Sequence, residues 1–262
     1  MKSFIRAVAI FIMCVGASPS WASDAPAIAA AANIKFALDK IAANFTQDTG
    51  QRVRISYGSS GNLVAQIRHG APFELFLSAD DKYIYQLHKL GVTTSDGELY
   101  AIGRLALAAP KTSALALDPQ LEGLKTMLQQ GQLQRFAIAN PDHAPYGERA
   151  REYLEHLGMW QHIQSHLIFG ENVSQAAQFA LSGSTDGGIV ALSLAMAPQF
   201  QAVGHYVALP SDWHTPLNQR MVLTEKAGDT AKLFYDYLQQ AKSRAVFTEF
   251  GFGLPELTSP GA

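Results

Sequence analysis

Cysteine is almost absent: the chain of 262 residues has one, Cys14. No later segment is a long hydrophobic run of the roughly 20 residues that a spanning helix needs. Charge is sparse at 16% of residues, and no basic block occurs. Each absence excludes something. Disulfides cannot hold this fold, so a packed core must. Without a cationic patch, nucleic acid and anionic membrane surfaces are poor partners. Metal-ligand spacing is lacking too, since His162 and His166 stand four apart with no third ligand at a recognised interval. Gly58-Ser59-Ser60-Gly61 is not the Gly-x-Ser-x-Gly elbow of a hydrolase. Gly251-Phe252-Gly253 lacks the third glycine of a dinucleotide fingerprint.

The chain begins like an export leader. Lys2 and Arg6 are followed by an apolar stretch over 7–17 and by the small-x-small site Ser20-Trp21-Ala22, so residues 1–22 are expected to be a cleaved signal peptide. Cys14 is preceded by Ile12 and Met13, not by the small residues of a lipoprotein signal, so no lipid anchor is expected. Without Lys2 and Arg6, 18 basic side chains face 22 acidic ones, and the protein is mildly acidic. With such a leader it is expected to be secreted.

Two stretches carry the chemistry. Ala29-Ala30-Ala31-Ala32-Asn33 opens a helical run over 34–45, and Tyr57-Gly58-Ser59-Ser60-Gly61-Asn62 opens another over 63–69. Each reads as a strand ending on small hydrogen-bond donors and turning directly into a helix. Such a junction aims backbone N–H groups and the positive end of the helix dipole at one spot, which suits an anion. Converging junctions hold an oxyanion without any cationic side chain, and that describes a binder before it describes an enzyme.

Around these stretches, strand and helix patterns alternate. Strands are expected at 27–32, 53–57 and 75–78 and helices at 34–46, 62–69 and 80–90. In the first helix Ile34, Leu38, Ile41 and Phe45 share one face. After an apolar strand at 104–109 a second alternation follows: helices at 119–130, 148–157 and 174–181, strands at 134–139, 167–169 and 188–191. Two such units in one chain predict an α/β protein of two lobes. The final strand at 218–224 and helices at 228–240 and 241–249 are too few for a third core. They are expected to return to the first lobe, with crossings near Arg104 and His214. The lobes are therefore drawn as 23–103 with 215–262, and 104–214.

Several segments together resemble a known family. Tyr57-Gly58-Ser59-Ser60-Gly61, the run from Gly70 to Asp80, Asn140-Pro141-Asp142-His143-Ala144-Pro145-Tyr146-Gly147, Glu171-Asn172-Val173, Gly188-Ile189-Val190 and Phe250-Gly251-Phe252-Gly253-Leu254-Pro255 are similar, in order and spacing, to the periplasmic molybdate-binding proteins of ABC importers. The resemblance implies a type II periplasmic-binding-protein fold, with a ligand cleft between two mixed sheets flanked by helices. It implies a tetrahedral dianion, molybdate or tungstate, as ligand, no cofactor and no metal other than that of the bound oxyanion. It also implies a membrane permease as partner; nothing in the chain demands a partner subunit, so a monomer is expected.

Carried over residue by residue, the resemblance places the ligand donors on Asn33, Ser60, Tyr146 and Val173. Ser59 and Ala191 stand as further candidates. The family's first serine falls on Asn33, whose amide still donates. A tyrosine that commonly follows Gly-Ile-Val is Ala191 here, and Tyr146 brings a phenol where the family offers only a backbone N–H. The expectation is that the Tyr146 hydroxyl replaces the missing donor. A donor-only site suits a fully deprotonated oxyanion and excludes protonated phosphate, provided no carboxylate faces the ligand; Glu171 is the carboxylate to watch. Two rival readings remain: a receptor for another oxyanion, sulfate or a phosphonate, and a secreted hydrolase with Ser60 as nucleophile. In bland terms, Asn33 and Ser60 are helix caps, Tyr146 an exposed turn aromatic, and the Asp80-Asp81 pair the cap of its helix.

Overall fold

The computed structural model describes residues 25–255. The expected leader, with Cys14, lies outside the described residues. The first sheet has the order β2-β1-β3-β10-β4 and consists of β1 (Ala27–Ala31), β2 (Arg54–Gly58), β3 (Phe73–Leu77), β4 (Glu98–Gly103) and β10 (Leu217–Leu223). Strands β1 to β3 run parallel, and β10 pairs antiparallel with both β3 and β4. The second sheet, in the order β7-β6-β8-β5-β9, holds β5 (Leu105–Pro110), β6 (Phe136–Ala139), β7 (Leu167–Gly170), β8 (Gly187–Ala191) and β9 (Gly204–Ala208). Here β6 runs parallel to β7 and β8, while β5 is antiparallel to β8 and β9. The chain passes from one sheet to the other at Arg104 and returns between Ala208 and Leu217.

The helices cover these sheets. They are α1 (Lys35–Thr49), α2 (Ser60–Arg68), α3 (Asp81–Lys89), α4 (Glu122–Gln129), α5 (Pro145–His156), α6 (Trp160–Ile163), α7 (Val173–Leu181), α8 (Leu192–Ala195), α9 (Pro198–Gln201), α10 (Asp229–Gln239) and α11 (Ala241–Glu249). Helix α1 buries Leu38, Ile41 and Phe45, and the Phe45 ring meets Phe234 and Tyr237 of α10 edge-on at 5.0 and 5.3 Å. The helix stops where Gly50 takes φ 71°, a left-handed turn that L side chains rarely adopt. The terminal helices α10 and α11 thus complete the layer over the first sheet.

The segments at 98–103 and 204–208 carry strands that the sequence pattern did not reveal. Strand β4 is separated from β5 by Arg104 alone, so the apolar run at 104–109 masked it. Strand β9 is an edge with mixed burial and no clean alternation. Helix α5 begins at Pro145, three residues before the expected start. Proline fits the first helical position because its missing N–H would be unpaired there anyway. Tyr146 therefore stands in a helical first turn and is buried, not an exposed turn aromatic.

His214, near the return crossing, gives the fold a sensitivity to acid. Its Nδ1–H donates to the Thr215 carbonyl at 2.8 Å, and its buried Nε2 has no partner among the described residues. Burial pushes its pKa below the usual imidazole value, partly offset by the Thr215 carbonyl and Glu152. The unfolded chain takes up this proton before the folded one does. Stability from this group is complete above about pH 6.5 and is lost as the pH falls below it. Melting scans between about pH 7.5 and about pH 5.5 are expected to show a steeper fall for the wild type than for His214→Gln.

Candidate functional site

A small cavity lies where four helix N-termini meet. Its walls are Ala31, Ala32 and Asn33 before α1, Gly58, Ser59 and Ser60 at α2, Ala144, Pro145 and Tyr146 at α5, Val173 at α7, and Ala79. It gives the centre of a water-sized sphere about 10 Å³ of freedom. That is room for about one water molecule and for no chain or ring. Among the described residues the lining holds no lysine, arginine, aspartate or glutamate. Asn33, Ser60, Tyr146 and Val173 are thus brought together and all are buried.

Each wall residue has a reason to be there. The first four N–H groups of a helix have no partner within the helix. In α2 the Ser59 Oγ caps the Asn62 N–H at 3.4 Å, and the Gly61 N–H donates to the His143 carbonyl at 3.0 Å, which leaves the Ser60 N–H to the cavity wall. In α7 the Asn172 side chain caps Ser174 and Gln175 at 3.0 and 3.1 Å, so Val173 keeps its N–H. Helix α5 and the 3-10 turn Ala32–Ile34 have no side-chain cap at all. The Ser60 Oγ accepts the Ala79 N–H at 3.0 Å, so its own hydrogen is free to donate. Ser59 is used as the α2 cap, and Ala191 is fully buried at the end of β8, outside the cavity lining.

Behind the cavity runs a buried polar network. Asn33 Nδ2 donates to Tyr146 Oη at 3.3 Å and to Gln219 Oε1 at 3.0 Å. Gln219 Nε2 donates to Tyr146 Oη at 3.1 Å, and the Tyr100 hydroxyl donates to Gln219 Oε1 at 3.0 Å. Asn33 Oδ1 is buried and makes no hydrogen bond among the described residues. Burial raises the Tyr146 pKa far above that of an ordinary phenol, with Gln219 and Asn33 pulling back weakly, and Tyr100 is raised as well. Both phenols are neutral O–H groups.

The two lobes are clasped around this point. Arg149 on α5 and Asp80, the N-cap of α3, form a salt bridge at 2.6 Å in which both side chains are only 5% exposed. Burial pushes the Asp80 carboxyl up from its ordinary value, while the Lys82 N–H and the Arg149 guanidinium pull it back. Lys82 also pairs with Glu148, and Asn62 with Glu171. The Ser174 and Ser193 hydroxyls donate to the carbonyls of Ala32 and Asn33 at 3.0 and 2.8 Å. Glu171 is 62% exposed and is engaged outside the cavity, so it does not face the site.

The sequence reading missed Gln219, Tyr100, Arg149 and His143. Nothing in the sequence singles them out: Gln219 stands between Asn218 and Arg220, and Arg149 and His143 have polar or charged residues beside them. His143 Nδ1 lies 2.9 Å from Ser59 Oγ, and its Nε2 lies 3.8 Å from Glu171. This is no serine-hydrolase triad: the serine is a helix cap, the acid is mostly exposed, and Ser60 has no histidine bonded to it. His162 and His166 line an outer groove with Lys125 and Leu128. Among the described residues no group of three His, Cys, Asp or Glu could hold a metal ion.

Known proteins share this architecture. The bacterial extracellular solute-binding protein family matches residues 27–253. The molybdate-binding protein ModA of Azotobacter vinelandii is 35% identical over 230 residues, covering 87% of this chain and 89% of that protein. ModA of Escherichia coli K12 is 32% identical over 85% of this chain and 86% of its own length. The solved structure of the Azotobacter vinelandii periplasmic molybdate-binding protein superposes with a TM-score of 0.80 at 31% identity, over 88% of this chain and all of that one.

Proposed function

The chain belongs to the bacterial extracellular solute-binding protein family, and on that premise we propose that it is the receptor that holds molybdate between its lobes and delivers it to the permease of an ABC importer. The observation that carries the reading is the meeting of four helix N-termini around a cavity with no cationic side chain and no carboxylate in its walls. Such a site offers donors and asks for acceptors, which is what a fully deprotonated oxyanion supplies. The proposed donors are the Ser60 hydroxyl, the Asn33 amide and the N–H groups of Tyr146 and Val173. Tyr146 serves the guest through its backbone, because its phenol oxygen is turned toward Gln219 and Asn33. Tungstate, with the same shape and charge, is proposed as a second guest.

The receptor performs no catalysis. It is proposed to act in the periplasm after removal of residues 1–22, as a monomer without cofactor or nucleic-acid partner. Residues 23–103 with 215–262 form one lobe in this reading, and 104–214 the other. Donors from both lobes satisfy one guest only when the cleft is shut, so the ligand favours the closed form.

Melting the protein with molybdate, tungstate, sulfate, phosphate or buffer tests the reading. A ligand at about a thousand times its Kd stabilises by about 4 kcal/mol. For a chain of this size that raises Tm by roughly 8–16 °C. Molybdate and tungstate are expected to do this, and sulfate and phosphate to shift Tm little. Stabilisation by sulfate or phosphate alone would support the other-oxyanion receptor instead.

A further inference from the structure

Gln219 is fully buried in the middle of β10 and does not line the cavity, yet it touches both Asn33 and Tyr146. We infer that Gln219 is a positioning residue of the anion site: the direction of its amide decides whether Asn33 offers the guest a donor or an acceptor. The inference rests on the oxyanion-receptor reading.

A carboxamide has an acceptor at one end and two donors at the other, and half a turn about its last torsion exchanges them without changing its shape. In the arrangement described above, both hydrogens of Asn33 point at protein atoms, Tyr146 and Gln219. Asn33 Oδ1 is then left buried with no partner. A buried acceptor without a donor is costly, and a fully deprotonated dianion has no hydrogen to give it. Turning the Asn33 and Gln219 amides together removes the conflict. Gln219 Nε2 then donates to Asn33 Oδ1 and to Tyr100 Oη, and the Tyr100 hydrogen goes to the Ser78 carbonyl, 3.4 Å away. Gln219 Oε1 accepts from the Tyr146 hydroxyl. Asn33 Nδ2 takes the unpartnered place, with hydrogens for the guest's oxygens. Every polar atom of the four side chains is satisfied once a dianion is bound.

Neither amide can turn alone, because each would then set two acceptors or two donors face to face. Gly103 makes the close approach feasible, since a Cβ there would collide with Tyr146 Oη and lie 2.6 Å from Gln219 Nε2. The phenol's hydrogen is used inside the network, which is why Tyr146 serves the guest through its N–H.

A double-mutant cycle on the full mature protein tests the inference, with calorimetric titration of sodium molybdate into the wild type, Gln219→Met, Asn33→Ala and the double variant. Gln219→Met, of similar volume, is expected to weaken binding at least tenfold. In the Asn33→Ala background it is expected to add less than about threefold, because Gln219 acts through Asn33. A merely structural Gln219 gives losses that multiply. The isosteric Gln219→Glu covers a poorly folding methionine variant: its carboxylate only accepts, turns both Asn33 Nδ2 and the Tyr146 hydroxyl toward itself, and is expected to weaken binding more than methionine does. Wild-type affinity in Gln219→Met or Gln219→Glu, or full multiplicity in the cycle, overturns the inference while the receptor reading stands. A wild-type protein that ignores molybdate and tungstate overturns both.

Discussion

Replacing Arg149 with methionine lowers the affinity for molybdate at least a hundredfold while leaving the melting temperature of the unliganded protein nearly unchanged. Arg149 gives Nη2 to Asp80 at 2.6 Å and Nη1 to Glu152 at 2.8 Å, both from a side chain that is almost wholly buried. Methionine fills most of the same volume but strands the Asp80 carboxylate, whose remaining partners are the Lys82 N–H at 2.9 Å and the Lys82 ammonium at 3.9 Å. Removing one partner of a buried pair costs about 3–5 kcal/mol. The cost falls on the closed form, because in an opened cleft the carboxylate regains water. At about 1.4 kcal/mol per tenfold, that corresponds to a loss of roughly two to three and a half orders of magnitude. Removing both charges is far milder than removing one. The double variant Asp80→Asn with Arg149→Met is therefore expected to recover affinity to within about tenfold of wild type. Titration calorimetry reads the affinities, and small-angle scattering reads whether ligand still closes the lobes. Equal losses in the single and double variants would sever the pair from closure.

Val173→Pro isolates a donor that no side-chain replacement can reach. Val173 is the first residue of α7, and Asn172 before it has φ −147° and ψ 173°, an extended conformation that a following proline accepts. Proline at the first helical position is well tolerated, so the helix and its Asn172 cap are retained while one N–H disappears. A charge-assisted hydrogen bond contributes about 1.5–3 kcal/mol. Affinity for molybdate is expected to fall roughly 10- to 150-fold with an unchanged circular-dichroism spectrum. Val173→Ala, which keeps the N–H, is the control and is expected to bind within a few-fold of wild type. Equal binding by the proline and alanine variants would remove α7 from the site.

The strand-to-helix junctions were legible because their physics is local. Small residues followed by a helical repeat mark Asn33 and Ser60 whatever the rest of the chain does, whereas Glu171-Asn172-Val173 was marked by the family resemblance alone. The alternation of periods two and 3.6 likewise exposed most of both sheets. The fourth junction was harder. Pro145-Tyr146-Gly147 looks like a turn, yet it is the first turn of α5, and Gly147 is needed there because a Cβ would overlap the Ala139 carbonyl. The polar network was not legible at all. Gln219 lies 186 residues from Asn33 and Arg149 lies 69 from Asp80, so neither pairing leaves a spacing to read. A buried glutamine in a strand declares its partners only once the sheet order sets β10 between β3 and β4.

The central claim is that neutral N–H and O–H groups from both lobes hold a small dianion with no cationic side chain against it. Crystals grown with sodium molybdate and measured at the molybdenum absorption edge test it most directly. The account predicts one anomalous peak in the cavity, ringed by the Ser60 hydroxyl, the Asn33 amide and the N–H groups of Tyr146 and Val173. A peak seated against a lysine or arginine, or none in the cavity at saturating molybdate, would contradict it.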